Sequence, residues 1–255
     1  MANPVTTAVI LAAGLGSRLK ALGTDKPKGF LKLGEKSIIE ESIERLHNSG
    51  ICNIIIVTGH QAGSYHQLQS AYPQLIKTVH NPLFAESGSM YSLSLVRERV
   101  QEDFLLLESD LIYEQRALSV CQTYPQDNVV LLSGETQAGD EVFVETDSQN
   151  RLKAMSKDRH FLGDNIAGEL VGISKISMPL FQVMLDAADR RFLKTLQVDY
   201  ETDGLVEAAK TYPVYCQVVD DLIWTEIDDE NHLERAVALI YPALCHKKLR
   251  ERSFL

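Results

Sequence analysis

Apolar residues in the first half of the chain fall into short runs separated by amphipathic stretches: TAVILAA, SIIEESIERLHNSG, NIIIVTG, MYSLSLVRERV and DFLLLESD, in that order. The runs AVILA, IIIV and FLLL show no polar-apolar alternation, which is how strands read when helices cover both faces of a parallel sheet. Between them, Ile38, Ile39, Ile43 and Leu46 recur at helical spacing, and Gly50 supplies a helix stop. This βαβαβ rhythm predicts an α/β fold: a Rossmann-like, mostly parallel mixed sheet with helices on both faces.

Past residue 128 the pattern changes. The runs NVVLLSGE, DEVFVETDSQNRLKAMSK and PVYCQVV are shorter and are separated by polar turns, so they read as a β-hairpin region appended to the parallel half. Helices follow from MPLFQVMLDAADRRFLKTL and ENHLERAVALIY. No repeat or Pro-rich linker interrupts the 255 residues, which read as a single domain.

Composition narrows the function classes. Thirty-five acidic against 25 basic residues leave a net charge of −10, which disfavours nucleic acid and anionic membranes as partners. A small anionic substrate would therefore need a local basic pocket. No run approaches the roughly 18 apolar residues of a membrane span, and MANPVTTAVIL lacks a basic segment ahead of a long apolar one, so a cytoplasmic protein without membrane insertion is expected. Cys52, Cys121, Cys216 and Cys245 are scattered without metal-like spacing and read as reduced packing thiols. His60, His66, His80 and His232 form no HxxxH pair and read as surface or packing residues.

The candidate chemistry begins at ILAAGLGSRLK, where a strand runs into glycines and a cation, a way of bringing N–H groups and positive charge to a phosphate. A Walker loop is excluded because no lysine follows at the required spacing. A dinucleotide fingerprint is excluded because Leu19 takes the place of its third glycine. Ten residues after Arg18 comes Lys28, in DKPKGFLKLGEKSIIEESI, and the ordered combination resembles the signature of the sugar-nucleotide pyrophosphorylase-like nucleotidyltransferases. The likeness runs from about Val5 to about Arg235. It is greatest to the cytidylyltransferases that act on 2-aminoethylphosphonate and, next, on phosphocholine.

The resemblance implies a nucleotide-binding half over about residues 5–128 and an acceptor and metal half over about 129–235. Arg18, Lys28 and Lys157 take the places of the family's catalytic cations. The nucleotide site falls on Leu11, Ala12, Ala13, Gly14, Gly16, Thr58, Gly59, Ser87, Gly88, Ser89 and Met90. The metal, Mg²⁺, falls on Asp110, Glu226 and Asp228, while Glu108 reads as structural and Asp229 and Glu230 as helix N-terminal charges. Apart from the resemblance, a triphosphate meeting an acceptor dianion demands a divalent cation, and Asp110 and Asp228 close apolar runs as strand-end ligands would.

The acceptor head is expected near Glu169, Tyr200, Glu201 and Asp203. A quaternary ammonium calls for an aromatic cage, whereas a primary ammonium calls for carboxylates or carbonyls around three N–H groups. Here Tyr200-Glu201 stands where the phosphocholine enzymes carry Tyr-Trp, and carboxylate in place of indole points to 2-aminoethylphosphonate. The expected reaction transfers CMP from CTP to that acceptor, with CTP and an aminoalkyl phosphonate or phosphate as partners. A phosphocholine acceptor, a hexose-1-phosphate acceptor and a catalytically silent nucleotide sensor stand as alternatives.

Overall fold

The computed structural model describes residues 4–16 and 26–252. Arg18 lies outside them. The strands are β1 (Thr7–Ala12), β2 (Asn53–Thr58), β3 (Ile76–His80), β4 (Phe104–Glu108), β5 (Leu111–Tyr113), β6 (Val129–Ser133), β7 (Phe143–Thr146), β8 (Leu152–Ser156), β9 (Ile166–Ile176), β10 (Tyr215–Val219) and β11 (Trp224–Glu226). The helices are α1 (Ile38–Asn48), α2 (Ala62–Ala71), α3 (Ser89–Ser94), α4 (Gln115–Thr123), α5 (Met178–Phe192), α6 (Val206–Ala209), α7 (Glu230–Arg235) and α8 (Tyr241–Arg252).

The main sheet has the order β10-β6-β9-β4-β1-β2-β3, parallel except at β9, which runs antiparallel to both β4 and β6. Period two along β1 sends its side chains to opposite faces. Val9 and Leu11 meet α3 and α5 through Met90, Leu93 and Phe181. Ala8, Ile10 and Ala12 meet α1, α2 and α4 through Ile39, Tyr65 and Leu118. Such two-sided burial explains the uniformly apolar strand runs, and the mixed α/β class expected from them is what the chain adopts.

Two local signals behave as read. Helix α1 ends at the expected Gly50, whose φ of 87° is open to glycine at little steric cost, and the structure adds a reciprocal cap at its start, Ser37 with Glu40. The turn in TDSQNR joins β7 to β8 as an antiparallel hairpin. One expectation needs correction. The runs at NVVLLSGE and PVYCQVV are not part of an appendage: β6 and β10 pair in parallel and extend the main sheet. Only β7 and β8 stand off its path, so a run length resembling a hairpin strand did not reveal its partner.

A second, two-stranded ribbon pairs β11 with β5 antiparallel, Glu226 opposite Leu111. It brings the late acidic segment beside the end of β4. A third apolar cluster, including Ile112, Ile227, Ala236 and Leu244, packs the C-terminal helices onto the ribbon.

Candidate active site

The C-terminal ends of β1 and β4 open on a cleft of about 380 Å³, as expected for ligands of open parallel sheets. Leu11, Ala12, Ala13, Gly14 and Gly16 line it, Gly16 at a φ of 59°. Ser87, Gly88 and Ser89 form its opposite edge. They are held by backbone bonds from Gly88 N–H to the Leu196 carbonyl, 2.8 Å, and from Met90 N–H to Val198, 2.9 Å. A Cβ on Gly88 would collide with the Val198 backbone, so glycine there serves close approach.

Other members of the expected nucleotide set lie behind this surface. Gly59 packs against Ala13 and Phe84 with no room for a side chain. Thr58 and Met90 are fully buried and do not line the cleft; the Thr58 hydroxyl donates to the Val79 carbonyl at 3.4 Å, and Met90 joins the core. Their apolar surroundings make them supports. Sequence reasoning did not single out Tyr65, Phe84 or Ser109, which also line the cleft.

A second cavity of about 180 Å³ adjoins the first, and Glu108 and Glu201 line both. Six carboxylates border it, Glu108, Glu141, Glu169, Glu201, Glu226 and Asp228, with exposed Lys157 at its edge. Glu169 is buried and accepts from the Thr136 N–H at 2.7 Å and the Thr136 hydroxyl at 3.0 Å. Burial pushes its carboxyl up to about 7, against the pull of those bonds. Glu201 is also pushed up to about 7, by burial and by the charge of Asp199, with Lys157 opposing.

Two expected acceptor residues are placed differently. The Tyr200 phenol donates to Glu108 at 2.8 Å, and Tyr200 lines the first cleft, not the second cavity. Asp203 pairs with Arg191 and accepts from the Asp199 N–H at 3.1 Å, so it braces the π-helical turn Tyr200–Leu205. That turn shifts the face on which successive residues fall, which a period of 3.6 could not anticipate.

Where the two cavities meet, the Lys28 ammonium bridges Asp110, at 3.0 Å, and Asp228. Burial alone would lower its pKa, but the two carboxylates outweigh burial and hold it above the ordinary lysine value. Glu226 and Asp228 come together as expected, yet the carboxylate grouped with them is Asp140, one oxygen from each lying within 4.8 Å of the others. Asp110 is engaged with Lys28 instead. Asp140 escaped notice because it sits in a polar turn distant in sequence from both partners. Glu108 lines both cavities, and burial with the neighbouring charges of Glu201 and Asp110 raises its carboxyl to about 8.

The architecture and site define a class of protein. A family model described as a MobA-like NTP transferase domain matches residues 8–170, and the chain belongs to that family. Over 242 residues it is 27% identical to a CMP-5'-(3-aminopropyl)phosphonate synthase of Streptomyces rubellomurinus, covering 90% of this chain and 38% of that protein. It is 26% identical over 178 residues to a 2-aminoethylphosphonate cytidylyltransferase of Lancefieldella rimae, covering 68% of each. Among solved structures, the CTP:phosphocholine cytidylyltransferase of Streptococcus pneumoniae superposes with a TM-score of 0.71 at 22% identity, over 92% of this chain and 98% of that one. The chain spans 38%, 46% and 51% of the length of three of the curated relatives it matches.

Proposed function

We propose that this chain is a cytidylyltransferase that transfers CMP from CTP to 2-aminoethylphosphonate. The observation that carries the proposal is the carboxylate-lined cavity adjoining the nucleotide cleft: it suits a cationic head, whereas a hexose phosphate offers no positive charge to match it. The names of the Streptomyces and Lancefieldella relatives support an aminoalkyl phosphonate as acceptor. Among the described residues lining the cavity, Trp224 is the one aromatic, too few for a cage around a quaternary ammonium.

The residues suit a divalent cation. Every donor is a carboxylate oxygen, the set preferred by hard ions, and crowding supports the same conclusion: burial, with the charges of Glu108 and Asp110 nearby, pushes the Glu226 carboxyl far above its ordinary range. Asp228 with Glu226, and with Asp110 or Asp140, would hold Mg²⁺, which when bound supplies charge neutralisation between triphosphate and acceptor. The chain's own groups do the remaining work. The backbone of residues 11–16 and Ser87–Ser89 seats the nucleotide, while Glu169 and Glu201 orient the ammonium. Lys28 stands beside the carboxylates where phosphate charge would arrive, and Arg18 takes the leaving pyrophosphate. Lys157 approaches the phosphonate.

A phosphonate oxygen then forms a bond to the α-phosphorus as the α–β phosphoanhydride bond breaks, giving CMP-(2-aminoethyl)phosphonate and pyrophosphate. No base need remove a proton, since a phosphate-like group ionises a second time near ~6. Positioning is the main contribution. The test is pyrophosphate release from CTP and Mg²⁺ with 2-aminoethylphosphonate and phosphocholine side by side, with Asp110→Asn as the blank. Preference for the phosphonate is expected; preference for phosphocholine would overturn the acceptor assignment, and release with neither would overturn the activity.

A further inference from the structure

His232 lies on α7, buried at 3% exposure. Its Nδ1 accepts from the Asp228 N–H at 3.3 Å, so the proton of the neutral ring belongs on Nε2. Nε2 in turn lies 3.3 Å from the Ala138 carbonyl and 3.3 Å from Asp140 Oδ1, both on the loop before β7. The helix start is fixed as well, because the Asp229 carboxylate caps the His232 N–H at 3.0 Å. One imidazole thus ties the backbone of Asp228 to the loop that carries Asp140. The same loop is clamped at its other end by Thr136 on Glu169.

We propose that His232 is a positioning residue that holds Asp140 beside Glu226 and Asp228, setting the affinity of that carboxylate group for a divalent cation. The proposal rests on the cation site named above. A packing role alone would need only a ring of similar size, whereas both ring nitrogens face polar groups of the two segments that must converge. A neutral histidine suits this position, because one nitrogen accepts from a backbone donor, the other donates to an oxygen, and no net charge is added beside the carboxylates.

The test is Mn²⁺ binding to the full chain, read by electron paramagnetic resonance of the free ion, with no acceptor present and both with and without CTP. His232→Phe keeps the ring and removes both hydrogen bonds; its Mn²⁺ affinity is expected to fall by roughly tenfold or more. His232→Gln keeps a donor near the Nε2 position and should lie closer to wild type. Asp140→Asn should weaken binding about as much as His232→Phe, and the double variant should be little weaker than either single one. Additive losses, or a His232→Phe affinity equal to wild type, would overturn the proposal, as would wild type that binds no Mn²⁺ in either condition. If His232→Phe does not fold, His232→Ala, which also removes both hydrogen bonds, takes its place alone and combined with Asp140→Asn, and the same criterion decides. Because no transfer is read, a failed acceptor assignment leaves this result intact, and a failed positioning role for His232 leaves CMP transfer to be judged separately.

Discussion

The cleft proposed for the nucleotide and the cavity proposed for the acceptor share a wall yet are built by opposite rules. One long edge of the cleft is consecutive chain, Leu11 to Gly16, and the facing edge is another short stretch, Ser87 to Ser89. It offers backbone and small side chains, which a base and its phosphates can use from any residue type that leaves room. The acceptor cavity draws Glu108, Glu141, Lys157, Glu169, Glu201 and Trp224 to Asp228 from six separated stretches, and its character is charge. A contiguous motif can specify the first kind of site; only the whole fold specifies the second.

The largest effect should come from the residue that belongs to both rules. Asp228 pairs with Lys28 and stands in the carboxylate group, so Asp228→Asn should reduce turnover roughly a hundredfold or more with any acceptor, while the thermal transition shows a folded protein. Measured by pyrophosphate release, near-normal turnover would show that the Lys28–Asp228 junction is not the reaction centre. Glu169→Gln sharpens the contrast. It should raise KM for an amine acceptor by roughly tenfold and leave KM for CTP unchanged, because Glu169 borders only the acceptor cavity. Parallel rises in both constants would mean that the cavities do not act separately.

The same contrast explains what could be read from sequence. The βαβ runs, the Gly50 helix stop and the glycine turn are local, so the sheet class and the glycine edge of the cleft were legible from such runs as AVILA, IIIV and FLLL and from Gly14, Gly16 and Gly50. Asp140 and the Tyr200–Glu108 bond were not, because each depends on two segments meeting across the fold. Asp203 shows the opposite failure. It has the right chemistry and neighbourhood, but the π-helical turn gives its carboxylate to Arg191. The placement of β6 and β10 was missed for a similar reason: apolar runs of five residues do not name their partners.

A smaller effect is expected at the cleft's far edge. Gly88→Ala sets a methyl group against the Val198 backbone, so the two strands of chain must part or the helix start must move. Overpacking of this kind costs about 1–3 kcal/mol, seen as a lower Tm, and should raise KM for CTP more than KM for the acceptor. Gly63→Ala is the control: Gly63 lies in α2, nothing outside its own helix is within 4 Å of its Cβ, and stability should hold or rise slightly. Equal losses at both glycines would remove the close-approach argument.

The smallest predicted effect concerns pH. Burial raises the folded-state pKa of Glu169 to about 7, above its unfolded value, so the folded protein binds the extra proton between them. That contribution to stability is fully present below the unfolded pKa and is lost as pH rises through about 7. Binding of an ammonium runs the other way, because it needs the carboxylate charged: KM for the amine acceptor should fall as pH rises from about 6 to about 8, by a few-fold. The phosphonate ionises in part of the same window, and Glu201 titrates near it, so the informative quantity is the difference between wild type and Glu169→Gln. The variant should lose part of the pH dependence of acceptor KM, while KM for CTP shows the same profile in both. An unchanged acceptor profile would mean that Glu169 serves Thr136 and the loop rather than the ammonium.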